Sequence, residues 1–136
     1  MAGARTLAGT IAVLALAAVP AAAAVENAAP RIVSAKASEA RDRVVRVLVV
    51  GRDRDDVVRG AEVTWGEPGP AQGLSACEQS SRRAERRRRG RRERFELVHE
   101  YAAPGHYTVT VRVLSGGCGK RPQQRSAART LTVHVP

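Results

Sequence analysis

The chain has 136 residues, of which 43% are hydrophobic and only 3% aromatic, and its formal net charge is +10. This length fits one domain with a modest core, and the scarcity of aromatic residues means that the core consists mainly of Val, Leu, Ile and Ala. The charge is local, because residues 82–94 alone contain nine arginines and two glutamates. No aromatic residue interrupts that run, which disfavours nucleic-acid recognition by base stacking.

The N-terminal stretch has the composition of a secretory signal peptide. Arg5 precedes an apolar run over residues 7–19, Pro20 ends it, and Ala22 to Ala24 provide a small-residue cleavage pattern. We therefore expect a signal peptide over residues 1–24, a short segment over residues 25–30, and no transmembrane helix after cleavage. The alternative is a membrane anchor formed by the same run, which is short for a span of about 20 residues.

Alternation of apolar and polar residues predicts the strands of the first half. Residues 32–37 form a weak candidate, because Ser34 and Lys36 share the face of Ile32. Residues 43–50 form a strong strand whose two faces are both partly apolar, which is typical of a central strand. The third strand, residues 59–65, places Ala61, Val63 and Trp65 in phase.

The second half continues the pattern after a loop rich in Gly and Pro at residues 66–73. Residues 74–77 predict a short extended piece, and a strand begins at Phe95. The clearest alternation follows Gly105, with Tyr107, Val109, Val111 and Val113 on one face. A last strand ends the chain at residues 131–135. Six or seven short strands without a convincing helix predict an antiparallel β-sandwich over residues 31–136.

Two short motifs carry a family resemblance. The segment from Tyr101 through Pro104-Gly105 to Tyr107-Thr-Val-Thr-Val, together with Val63-Thr-Trp65-Gly66, resembles the hallmark of PKD (polycystic kidney disease) domains. Glu67-Pro68-Gly69 stands where that family usually has an aspartate-glycine pair. Fibronectin type III domains also place a tyrosine after a Pro-Gly turn, and they remain an alternative relative with a sandwich fold.

The resemblance implies an immunoglobulin-like fold of about seven strands and non-catalytic contacts with protein or carbohydrate. It also implies that Tyr107 acts as a tyrosine corner, in which its hydroxyl ties the turn to the core. For Trp65, Tyr101 and Tyr107 we expect core packing rather than a stacking platform for sugar.

The two cysteines predict one disulfide, because an even number of cysteines in an exported chain usually pairs. Strand directions place Cys118 at the end of the sandwich opposite the Pro104-Gly105 turn, and for Cys77 to reach it the segment after Trp65 must return to the same end. The same reasoning brings three loops together there: residues 53–56, 82–94 and 116–125.

The arginine run, inserted as a loop at residues 82–94, is the candidate polyanion-binding site, since arginine forks suit phosphate and carboxylate. Its members are Arg82, Arg83, Arg86, Arg87, Arg88, Arg89, Arg91, Arg92 and Arg94. The alternatives are a solvated, mobile loop with arginine favoured by codon bias, and a helix over residues 81–89 opposed by like charges. Asp53, Asp55 and Asp56 are close enough in this scheme to offset part of the charge.

No catalytic motif or zinc spacing occurs, so we expect no enzyme activity, no metal and no cofactor. His99, His106 and His134 are scattered over separate strands and are expected to be surface or packing residues. Asp53-x-Asp55-Asp56 resembles part of a calcium loop, which leaves calcium open.

The expected protein is thus a monomeric, secreted or cell-envelope binding module. Its expected partners are an extracellular or envelope protein, a polysaccharide or another polyanion, and nucleic acid is disfavoured. The alternative is a structural domain whose arginines bind anionic polymers or surfaces electrostatically.

Overall fold

The computed structural model describes residues 29–77, 81–118 and 124–136, and the predicted signal peptide lies outside these ranges. The elements are β1 (Arg31–Ala37), β2 (Val44–Arg52), β3 (Val58–Thr64), β4 (Gln72–Ser75), α1 (Arg82–Arg88), β5 (Arg92–Glu100), β6 (Gly105–Ser115) and β7 (Arg125–Val135). In the part of the chain described, no helix has the length and apolar character needed to cross a membrane.

The strands form two antiparallel sheets, which confirms the predicted sandwich. One sheet has the order β1-β2-β5 and the other has the order β4-β3-β6-β7. β2 is the central strand of its sheet, as its two apolar faces predicted. We call the end with the β5–β6 turn at residues 101–104 the turn end, and the end that holds Cys77 and Cys118 the disulfide end.

An irregularity in β1 explains why its alternation looked weak. Ile32 pairs with Gly51 of β2 and Ser34 pairs with Val50, so the register shifts between Ile32 and Ser34. A bulge of this kind adds one residue and moves the following side chains to the other face. Ile32 therefore packs against the core while Ser34 lies on the outer face, although they are two positions apart, which in a regular strand places both on one face.

The core is built from the inward positions of both sheets. Val45, Val47 and Val49 of β2 are fully buried, and Val111 and Val113 of β6 face them from the other sheet. Phe95, Leu97 and Trp65 add the larger side chains. Deleting one such buried side chain typically costs about 2–5 kcal/mol, so these alternating positions fix which face of each strand points inward.

One sequence expectation was wrong: residues 82–94 are not a loop. They comprise α1, a turn at residues 89–91 and the start of β5. The helix begins with Ser81 as N-cap, whose hydroxyl accepts the N–H of Ala84 at 3.1 Å. Like-charge repulsion does not prevent the helix, because this cap, favourable basic residues in the last turn and the contacts described below outweigh it.

Candidate functional site

The disulfide joins two segments that follow different strands. Cys77 lies just after β4 and Cys118 lies just after β6, and their Cα atoms are 5.5 Å apart across a sequence separation of 41 residues. β3 lies between β4 and β6 in the sheet. The bond therefore crosses the beginning of β3 and holds together the segments that follow β4 and β6.

The β2–β3 loop is organised by its own aspartates. Asp53 is fully buried, and its Oδ1 accepts the backbone N–H groups of Asp55 at 3.0 Å and Asp56 at 3.1 Å. Asp56 Oδ1 accepts the N–H of Val57 at 2.7 Å. These carboxylates satisfy the turn's own backbone. Among the residues that the structure describes, no group of three or more His, Cys, Asp or Glu side chains is arranged to hold a metal ion.

Helix α1 is tied to the disulfide end by two side chains. Glu85 Oε1 accepts the N–H of Cys118 at 2.9 Å. Arg88 donates to Glu93 Oε1 at 2.6 Å, to the carbonyl of Ala76 at 2.9 Å and to the carbonyl of Val58 at 3.0 Å. Arg88 is thus a structural residue that joins the helix to strands of both sheets.

The turn after the helix meets the aspartate loop. Gly90 donates its N–H to the carbonyl of Asp56 at 3.0 Å and has a φ of +71°, a left-handed conformation that favours glycine. Its carbonyl accepts Arg52 Nε at 2.8 Å. The three predicted segments are therefore in contact. The third segment is represented here by residues 116–118, because residues 119–123 lie outside the described ranges.

The eight remaining arginines of the run, unlike Arg88, are all exposed. Four of them lie on α1, two lie in the turn, and Arg92 and Arg94 point outward from β5. They form one basic surface over the helix and the adjoining edge of the β1-β2-β5 sheet. The predicted set is thus brought together on one surface, with Arg88 withdrawn from it.

The turn end holds the aromatic residues of the motif. The Tyr101 hydroxyl donates to the carbonyl of Trp65 at 2.9 Å, and burial, together with Glu67 and Tyr107, raises the pKa of Tyr101 to about 12. Tyr107 donates to the carbonyl of Ala103 at 2.7 Å, which ties the Pro104-Gly105 turn to the strand that follows.

Trp65 is almost fully buried, and a histidine covers one face of its ring. It is 5% exposed, and the imidazole of His99 stacks on it with ring centroids 4.8 Å apart. Tyr101 meets Trp65 edge-on at 6.3 Å and stacks on Tyr107 at 4.1 Å. These contacts make the aromatic cluster of the turn end part of the packing.

Neither protein-family models nor curated proteins match this sequence. The structure is similar to the crystal structure of the PKD1 domain of Vibrio anguillarum Epp, with a TM-score of 0.50. The similarity covers 82% of this chain and 100% of that chain at 18% identity. The fold is PKD-like. The resemblance seen in the turn and strand motif is thereby confirmed at the level of the fold.

The PKD-like fold also brings together side chains that the sequence analysis did not place side by side. His106 and His134 are paired across β6 and β7, with ring centroids 4.5 Å apart on the exposed face. Arg31, Arg52, Arg54 and Arg129 line a depression with Arg92. Arg52 and Arg92 are in the outward phase of their strands, whereas Arg54 lies in the β2–β3 loop and Arg129 shares the inward face of β7 with Leu131, so their meeting depends on which strands are neighbours and in which register.

Proposed function

We propose that this chain is a non-catalytic PKD-like module that is exported and contacts a protein or a carbohydrate in the cell envelope or outside the cell. The observation that supports this most is the Cys77–Cys118 disulfide in a PKD-like sandwich. Disulfides persist in oxidising compartments and are rare in reducing ones.

The disulfide end is the surface we propose for these contacts. Its segments are held by the disulfide, by Glu85 on the N–H of Cys118 and by Gly90 on the carbonyl of Asp56. A surface that is ordered before binding loses less conformational entropy on association. The turn end is less suited to this role, because its aromatic side chains are used in packing.

Export and binding have separate tests. The intact chain is expected in the envelope or culture fraction with its cysteines oxidised, whereas a variant lacking residues 1–24 stays inside the cell. Recovery of the intact chain in the cytoplasm with free thiols would contradict export.

For binding, the oxidised protein is screened on a glycan array and against extracellular and envelope proteins. The double variant R86Q/R87Q at the disulfide end is compared with E39Q/R41Q at the turn end. We expect the first to reduce capture and the second to leave it unchanged. The reverse result would move the contact surface to the turn end.

A second candidate function, electrostatic binding to anionic polymers, is favoured by the basic surface of eight exposed arginines. Such retention is screened by salt, since the Debye length falls from about 10 Å at 0.1 M to about 3 Å at 1 M. We expect elution from an anionic polymer at high salt and loss of retention in R82Q/R83Q/R86Q/R87Q, which spares the structural Arg88. Retention that resists both changes would indicate a shaped site.

A further inference from the structure

A depression of about 580 Å³ lies on the outer side of the β1-β2-β5 sheet near the disulfide end. Five arginines from four strands and the aspartate loop surround it. The lining residues are Arg31, Ile32, Val33, Arg52, Arg54, Arg92 and Arg129. Arg92 belongs to both this site and the arginine run, whereas the other four arginines lie outside the run.

Three of these arginines stand in one row across the sheet. Arg31 is the direct partner of Arg52 between β1 and β2, and Arg52 is the direct partner of Arg92 between β2 and β5. Neighbouring strands are about 4.8 Å apart, so the row places three positive side chains side by side. Like charges directly opposite each other destabilise a sheet, and an anion bound between them would remove that repulsion.

The five arginines lack acidic partners within the described residues. Of the ion pairs closer than 4.0 Å there, Arg46 pairs with Glu96, Arg88 with Glu93 and His99 with Glu67, and none involves the depression. Asp53 and Asp55 flank Arg54 in the sequence without pairing to it. Arg46 of the same sheet is paired with Glu96, whereas no arginine of the depression has such a partner among the described residues.

Two of the guanidinium groups are held in place by the backbone. Arg52 Nε donates to the carbonyl of Gly90 at 2.8 Å, and Arg129 Nη2 donates to the carbonyl of Ile32 at 3.1 Å. Each group retains further N–H donors, because a guanidinium carries five. Fixed forks of this kind suit bidentate binding of a planar or tetrahedral oxyanion and reduce the entropy lost on binding.

We infer that this depression binds the phosphate groups of a ligand that carries several of them in succession. Five positive charges in one depression match a ligand with several negative charges close together, and a chain of linked phosphates carries one charge on each internal group and about −1.5 to −2 on a terminal group at pH 7. Sulfate esters and carboxylates carry less charge per group than that terminal phosphate. A row of three arginines favours linked phosphates over a single one.

The test uses tripolyphosphate as the probe and calorimetric titration of the oxidised protein at fixed ionic strength. The variant R31Q/R92Q removes two arginines whose side chains make no described hydrogen bond, and R41Q/R112Q removes the same charge elsewhere on the surface. We expect at least a tenfold weaker affinity in R31Q/R92Q and less than a twofold change in R41Q/R112Q. Equal weakening in both variants would overturn the site, because it would report net charge alone.

Two further measurements separate the ligand class and the helix surface. Orthophosphate is expected to bind at least tenfold more weakly than tripolyphosphate, and R82Q/R83Q/R86Q/R87Q is expected to bind tripolyphosphate within twofold of the wild type. If R31Q/R92Q weakened the binding of heparin more than the binding of tripolyphosphate, the assignment to phosphate would be overturned. Thermal unfolding of each variant verifies that it is folded. The variant R31K/R92K keeps the charge but loses the guanidinium fork, and it is expected to bind tripolyphosphate with intermediate affinity.

Discussion

The two ends of this sandwich are held together by different chemistry. At the turn end, Tyr101 packs its ring against Trp65 and Tyr107, and the two tyrosine hydroxyls donate to nearby backbone carbonyls. At the disulfide end, a covalent bond, Glu85 and Arg88 hold segments that contribute few large apolar side chains. The comparison shows that Trp65, Tyr101 and Tyr107 are concentrated at the turn end, whereas the other end relies on a covalent bond and polar contacts and exposes its charge.

The largest effect is expected from removing the covalent link. Closing a loop of 41 residues contributes about 4 kcal/mol to the free energy of unfolding on the chain-entropy model. We expect C77S/C118S to lose about this amount in denaturant unfolding. Hydrogen exchange is expected to accelerate first in α1 and at Cys118, before the turn end. A loss below about 1 kcal/mol, or first exchange at Tyr101, would contradict the contrast between the ends.

The next effect is expected from Arg88, the polar anchor of the disulfide end. Replacing it with Met keeps most of the side-chain volume but leaves Glu93 and the carbonyls of Ala76 and Val58 without their donor. We expect a loss of about 2 kcal/mol in the free energy of unfolding. Arg87→Met on the exposed side of the same helix is the control, and an equal loss in both would show that Arg88 acts only through helix propensity.

A smaller effect with a pH signature is expected at the turn end. Tyr101→Phe removes the hydrogen bond to the carbonyl of Trp65 and is expected to cost about 1–2 kcal/mol. Because the pKa of Tyr101 is raised from 10.0 to about 12 in the folded state, the unfolded chain releases this proton first as the pH rises.

The contribution of Tyr101 is therefore present below the unfolded-state pKa near 10 and is lost progressively as the pH rises through about 12, by roughly 2–3 kcal/mol in total. Denaturant unfolding of the wild type and Tyr101→Phe across this range measures the difference. Parallel pH profiles for the two proteins would show that another group is responsible.

The smallest effect on stability is expected from the exposed helix arginines. R82Q/R83Q/R86Q/R87Q is expected to change the free energy of unfolding by no more than about 0.5 kcal/mol, because exposed charges contribute little. Retention on an anionic polymer at low salt is expected to fall sharply in the same protein. A large loss of stability with unchanged retention would instead give these exposed arginines a structural role like that of Arg88.

Much of the fold was predictable because alternation reports burial directly. The inward positions of β2, β3 and β6 followed from Val45, Ala61 and Val111 and their neighbours in phase. Residues 125–130 carry no such signal, because they pair with β6 largely outside the core. As a result, β7 begins earlier than its apolar residues indicated.

The site was less predictable, because it depends on contacts between distant segments. The helix requires Ser81 as a cap and Glu85 and Arg88 as tertiary anchors, and the local sequence shows mainly repulsion. The row of Arg31, Arg52 and Arg92 requires the register of three strands, including the irregularity in β1. A single sequence gives the phase of each strand but not the alignment between strands.

The position of the disulfide has a consequence for how the chain responds to tension. Arg31 starts β1 at the disulfide end and Val135 ends β7 at the turn end, so pulling these two residues apart loads the β1–β2 and β6–β7 hydrogen bonds in shear. The bond encloses α1, β5 and β6 but neither terminal strand. At about 3.4 Å per residue, the 41-residue segment between the cysteines would extend by about 140 Å when it unfolds under tension. The disulfide prevents this extension in the oxidised chain, and reduction would allow it.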